Sequence, residues 1–134
     1  MEIGYELPAV VKKLTVEKIY AYTTRHGDWF KNTIHTNLEI AKKAGFPNVV
    51  CQGNMLTNYI SELLLRVYRE HSIQDSQIKV TYIKSAFPGE IVSAKGVVKE
   101  KKVLEILTHL SLDVWVENES GEKLVTGSAK IMII

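Results

Sequence analysis

The sequence predicts an α+β fold in which one long apolar helix is wrapped by an antiparallel sheet. Three observations carry this. After Gly53, the residues Leu56, Tyr59, Ile60, Leu63, Leu64 and Val67 recur at i, i+3, i+4 and i+7, the spacing of a single helix face. From Gln77 onward the apolar period changes to two, the period of a half-buried strand. Helix signals fill the first half of the chain and strand signals the second, the segregation that separates α+β from α/β folds.

The elements follow in order. A first helix is predicted over Val16–Thr24, with Thr15 as N-cap and Glu17 in the first turn, where the helix dipole favours a carboxylate. Val16, Ile19, Tyr20 and Thr23 fall on its apolar face, and Gly27 ends it. A second, short helix is predicted from Leu38 to Ala44. Asn37 caps it, Gly45 supplies a left-handed C-terminal residue, and Pro47 prevents continuation. The long helix runs from about Asn54 to Arg69. Its opposite face, with Asn58, Glu62 and Arg66, is only moderately polar, so a sheet should largely enclose it.

After His71 four strands are expected, joined as a meander. They are Gln77 to Ile83, Ile91 to Lys99, Val103 to Glu117 and Glu122 to Ile133. Phe87-Pro88-Gly89-Glu90 and Asn118-Glu119-Ser120-Gly121 have turn chemistry. In the third strand, Leu104, Ile106, Leu110, Leu112, Val114 and Val116 should share one face. Glu105, His109, Ser111, Asp113 and Glu117 should share the other.

Composition narrows the function. The chain has 134 residues, enough for one domain that buries about two thirds of its unfolded surface without disulfides or metal. Net charge is +2, with both signs interleaved, so no basic stripe offers itself to nucleic acid. No stretch approaches the roughly 20 apolar residues of a membrane span. The N-terminus lacks the apolar run of a signal peptide. Cys51 is the single cysteine, which suits a reducing compartment. A cytoplasmic protein is expected. No histidine and carboxylate cluster has metal-ligand spacing, and no dinucleotide or phosphate-loop fingerprint is present.

The segment from Gly27 to Leu56, GDWFKNTIHTNLEIAKKAGFPNVVCQGNML, resembles the signature of MaoC-like dehydratases and R-specific enoyl-CoA hydratases. The matching pieces are Gly27-Asp28, Asn32-Thr33-Ile34-His35, Ala41, Gly45-Phe46-Pro47 and Gln52-Gly53. Downstream, Tyr82 to Ile91 is similar to that family's strand and Pro-Gly-Asp turn, and Asn118 to Met132 to its final hairpin. The resemblance spans nearly the whole chain. It implies a single hot-dog domain over residues 1–134, with the long helix inside a curved antiparallel sheet. It also implies a homodimer or higher homo-oligomer, with Trp115 as either a contact residue or a half-exposed aromatic.

Two positions depart from the pattern. The family's aspartate precedes its histidine by five residues, whereas Asp28 lies seven before His35 and Phe30 occupies the fifth position. Either Asp28 still reaches the site across a longer loop, or Asn32 is the remaining polar partner. Thr33 stands where the family has proline, which loosens the loop, and Gln52 replaces a histidine.

The resemblance implies reversible hydration of a trans-2-enoyl thioester to an (R)-3-hydroxyacyl thioester. Coenzyme A or phosphopantetheine would enter only as part of the substrate, with no separate cofactor. His35 suits acid–base work because an unperturbed imidazole titrates near neutrality. Asp28 or Asn32 would assist. Gln52, Gly53 and Asn54, at the start of the long helix, would bind substrate, with the Gly53 N–H donating to the thioester oxygen. Each also has a structural reading: turn chemistry for Asp28, backbone bonding for Asn32 and Gln52, packing for Gly53. His26, His71 and His109 fit surface positions, and Cys51 a buried small residue. Two other functions remain. One is a non-catalytic acyl-thioester-binding subunit. The other is a thioesterase, for which the available helix carboxylate, Glu62, sits far along.

Overall fold

The computed structural model describes residues 2–25, 32–69 and 76–133. Among them are three helices and five strands, β1 (Val10–Lys13), α1 (Val16–Thr24), α2 (Leu38–Lys43), α3 (Gly53–Tyr68), β2 (Gln77–Tyr82), β3 (Ile91–Leu104), β4 (Leu107–Asn118) and β5 (Lys123–Ile133). The predicted caps form. Thr15 Oγ1 accepts from Lys18 N at 3.1 Å, and Asn37 Oδ1 accepts from Glu39 N and Ile40 N. Gly45 follows α2 at φ 95°, a region that a side chain would disfavour. His26, Gly27, Asp28 and His71 lie outside the described residues.

The sheet is antiparallel throughout, in the order β1-β3-β4-β5-β2. Its inner face is buried along alternate positions: Val92, Ala94 and Val98 on β3, Leu110, Leu112, Val114 and Val116 on β4, Ala129 and Ile131 on β5. Against it lies α3, which buries Met55, Leu56, Ile60, Leu63, Leu64 and Tyr68. A long helix enclosed by a curved antiparallel sheet is the hot-dog arrangement, as the sequence implied.

Four details differ from the sequence reading. On α1 only Ile19 is buried, while Val16 and Tyr20 are exposed. The nine-residue helix touches the core along one line, so its periodicity overstated its buried face. β1 was unforeseen, because its four residues carry only two apolar side chains. Pairing with Ile91–Ala94 of β3 makes it a strand.

The third difference is the hairpin of β3 and β4. Leu104 pairs with Leu107 around a two-residue turn, and Ile106 is 77% exposed. Glu105, within that turn, has φ 35°. A bulge between Val98 and Glu100 breaks the alternation, and in the charged ribbon beyond it Val103, Leu104 and Ile106 are exposed while Leu110 keeps its place on the inner face.

Fourth, β2 does not pair with β3. It lies at the far edge beside β5, in register from Gln77↔Lys130 to Tyr82↔Val125. Only β3, β4 and β5 form a meander. The link from β2 to β3 must therefore cross the sheet, and it crosses at the start of α3. Ile83 N donates to Leu124 O at 2.8 Å, and Cys51 N to Ala86 O at 2.9 Å. The Phe87–Glu90 turn then closes with Glu90 N on Phe87 O, and Gly89 N bonds Leu14 O.

Candidate active site

The crossing link, the loop before α2 and the start of α3 enclose a cavity of about 530 Å³. Its polar lining includes His35, Gln52, Gly53, Asn54, Tyr82 and Ser85. Ile34, Phe46, Val50 and Leu56 are among its apolar lining. Four of the six residues singled out from sequence thus share one cavity.

His35 is positioned by the turn that carries it. His35 N donates to Thr33 Oγ1 at 3.2 Å, and Thr33 N to Thr36 Oγ1 at 3.1 Å. Thr36 N and Asn37 N both reach Thr33 O, and Val50 N reaches Ile34 O at 3.0 Å. Thr33 therefore supplies in hydrogen bonds what it lacks of proline's ring. The imidazole Nδ1 lies 2.6 Å from Val50 O. A carbonyl oxygen has no proton to give, so Nδ1–H is the donor, and in the neutral imidazole this places the free lone pair on Nε2. That is the tautomer a general base needs.

Gln52 spans between elements. Its Nε2 donates to Ile19 O on α1 at 3.2 Å, the backbone-bonding role expected of it. Its Oε1 is buried with no partner among the described residues. The carbonyl of Gln52 accepts from Met55 N and Leu56 N. The first N–H groups of a helix have no intrahelical acceptor. Among the described residues, none accepts from Gly53 N or Asn54 N. These two donors sit at the positive end of the 16-residue α3, suited to an oxygen gaining negative charge.

Asn32 is not brought into the cavity. It is exposed, and its Oδ1 accepts from Asn37 Nδ2 at 3.5 Å. Glu62 lines a different cavity and is held by Lys12 Nζ at 3.1 Å and Arg66 at 2.7 Å. Among the described residues, no group of three or more histidine, cysteine, aspartate or glutamate side chains is arranged to hold a metal. No helix among them is long and apolar enough to cross a membrane.

Cys51 touches the cavity but is 4% exposed. Burial, with a smaller contribution from the Glu90 charge, pushes its thiol from 9.0 up to about 12. Thiol reagents at about pH 8 should leave it unlabelled in the native protein and label it once urea unfolds the chain. Burial favours the protonated form in the folded state. The thiol's stabilising contribution is therefore complete below about pH 9 and lost as pH rises toward about 12, measurable as a falling urea midpoint across that window.

His35 and the N-terminus of α3 thus line the same cavity. The MaoC like domain matches residues 3–118 of this sequence. The chain belongs to the MaoC-like family. Solved structures agree on the fold of this MaoC-like chain. R-hydratase PhaJ1 from Pseudomonas aeruginosa superimposes with a TM-score of 0.80 at 18% identity, over 98% of this chain and 81% of its own. The (R)-hydratase from A. caviae involved in PHA biosynthesis gives 0.78 at 19%, over 98% and 96%. The ChsH1-ChsH2 complex from Mycobacterium tuberculosis gives 0.78 at 16%, over 100% and 99%. No curated protein matches by sequence.

Sequence reasoning missed Tyr82 as a site residue. Its ring lies against Gly53, where an added Cβ would fall 2.6 Å from Tyr82 Cε1. Its hydroxyl lies 2.8 Å from Thr57 Oγ1 and 3.3 Å from Asn54 Oδ1. The signal was parity: Ile78, Val80 and Tyr82 share one face of β2. The close-packed partner of Gly53 is thus a tyrosine ring of the same chain.

Proposed function

We propose that this chain interconverts trans-2-enoyl and (R)-3-hydroxyacyl thioesters, with coenzyme A or phosphopantetheine carried by the substrate. The observation that carries this reading is His35, held by Val50 O as the Nδ1–H tautomer in the cavity that also receives the N-terminus of α3. In the hydration direction, Nε2 takes a proton from water as its oxygen bonds to the β-carbon. The electron pair of the double bond moves toward the thioester, whose oxygen gains enolate charge opposite the Gly53 N–H. The enolate collapses as the α-carbon takes up the proton from His35, so one water is added and the imidazole is regenerated. Asp28 is the proposed second group that orients the water, and Asn32, which points to the start of α2, is the less favoured. Gln52 and Asn54 complete the substrate-binding set.

The two sheet edges, β1 and β2, and the half-buried Trp115 support a homodimer, since open edges favour pairing. The single buried thiol fits a cytoplasmic setting.

The test offers crotonyl-CoA and butanoyl-CoA to the purified protein. The proposal expects loss of the conjugated thioester absorbance and formation of 3-hydroxybutanoyl-CoA. Binding without turnover would favour the non-catalytic subunit, a reading motivated by the displaced Asp28. Steady release of free coenzyme A would favour a thioesterase. Gly53→Ala is expected to lower kcat about 10²–10³-fold while the circular dichroism spectrum is kept, because the new methyl would crowd the oxygen-binding donors and, 2.6 Å from Tyr82 Cε1, displace the ring packed there.

A further inference from the structure

The strip of α3 that begins at Gly53 continues at helical spacing through Thr57 and Ser61 to Leu65. The face of β2 bearing Ile78, Val80 and Tyr82 lies along it. Two cavities occupy this seam. The first contains Gly53, Asn54 and Tyr82. The second, of about 460 Å³, contains Ser61, Leu65 and Ile78. Thr57 stands between them on the helix, and the 2.8 Å contact of its hydroxyl with Tyr82 closes the seam at that level.

We propose that Tyr82 and Thr57 form a bar across one continuous groove, and that this bar limits the length of acyl chain the site accepts. The inference rests on reading the first cavity as an acyl-thioester site. With the bar closed, a short chain fills the first cavity alone. With it open, a longer chain continues past Thr57 along Leu64, Leu65 and Ile78. Each further buried methylene would then raise affinity about fourfold.

The bar is suited to being moved. Tyr82 is 51% exposed in the single chain, so moving its ring does not open that chain's core. What holds it is hydrogen bonding. A phenol has one proton. Either Tyr82 donates to Asn54 and accepts from Thr57, or it donates to Thr57, which in turn donates to Gly53 O at 3.2 Å.

The experiment titrates wild type, Tyr82→Ala, Tyr82→Phe and Thr57→Val with butanoyl-CoA and dodecanoyl-CoA. Turnover of the matching trans-2-enoyl-CoAs is followed in parallel. Wild type should bind butanoyl-CoA at least as tightly as dodecanoyl-CoA. Tyr82→Ala should raise the dodecanoyl-to-butanoyl affinity ratio at least tenfold. Tyr82→Phe and Thr57→Val keep the ring and lose the tether, and should give smaller rises. An unchanged ratio in Tyr82→Ala with butanoyl-CoA still bound overturns the bar. If Tyr82→Ala does not fold, an unchanged ratio in both milder variants overturns it. A shifted ratio without any turnover supports the bar and sinks the hydratase reading. Binding of neither thioester overturns both.

Discussion

His35→Ala should lower kcat for crotonyl-CoA hydration by about 10²–10⁴-fold, the usual contribution of a positioned acid–base group. The substitution removes the imidazole from the cavity it lines. It also leaves the Val50 carbonyl without its donor, which costs about 1–3 kcal/mol where the group stays buried. A loss of activity through loss of fold must be told apart from a loss of chemistry. His35→Asn does this, because its amide can still donate to Val50 O while offering no basic nitrogen. The expected pattern is near-native stability in His35→Asn, reduced stability in His35→Ala, and a comparable collapse of kcat in both. Thermal unfolding and steady-state kinetics on the same samples read it. Wild-type kcat in either variant would remove His35 from the chemistry.

Gly127→Ala should have the largest effect on stability. Gly127 sits on β5 between two neighbours, paired with Val114 of β4 and Val80 of β2. A Cβ there would lie 2.1 Å from Lys79 O, a backbone atom that cannot rotate away. Either β2 separates from β5 or β5 shifts within the sheet. Overpacking of this kind costs about 1–3 kcal/mol and sometimes more, and each kcal/mol lowers the melting temperature of a chain this size by roughly 3–5 °C. Because β2 carries Tyr82 and leads into the crossing link, turnover should fall as well. Differential scanning calorimetry checks the first effect, and an unchanged melting temperature would contradict the close approach of the two strands.

Legibility in the sequence followed the range of the interactions. α1 has the predicted bounds and α3 begins one residue early, because caps and helical periodicity are written within a few residues. Asn37, Gly45 and the Asn118–Gly121 turn were legible for the same reason: in that turn Asn118 Oδ1 accepts from Ser120 N and Glu122 N. β1 and the place of β2 were not, because partners far along the chain decide them. Val10 is a strand residue on account of Ala94, and Tyr82 an edge residue on account of Val125.

The site divides along the same line. His35, Gln52, Gly53 and Asn54 were found through a local pattern, and the structure brings them together. Asn32 belongs to that pattern but turns toward Asn37. Tyr82 was overlooked because its role depends on β2 crossing to the far edge of the sheet, which no local pattern records. Asp28 lies outside the described residues, so its part in the chemistry belongs to the proposal.

The central claim is that this cavity adds water to an enoyl thioester. Its most direct test is to incubate the wild-type protein with crotonyl-CoA in water enriched in oxygen-18 and deuterium, and to analyse the product by mass spectrometry and chiral separation. The account predicts (R)-3-hydroxybutanoyl-CoA with one solvent oxygen on the β-carbon and one solvent hydrogen on the α-carbon. Crotonyl-CoA recovered bound but unlabelled would contradict it.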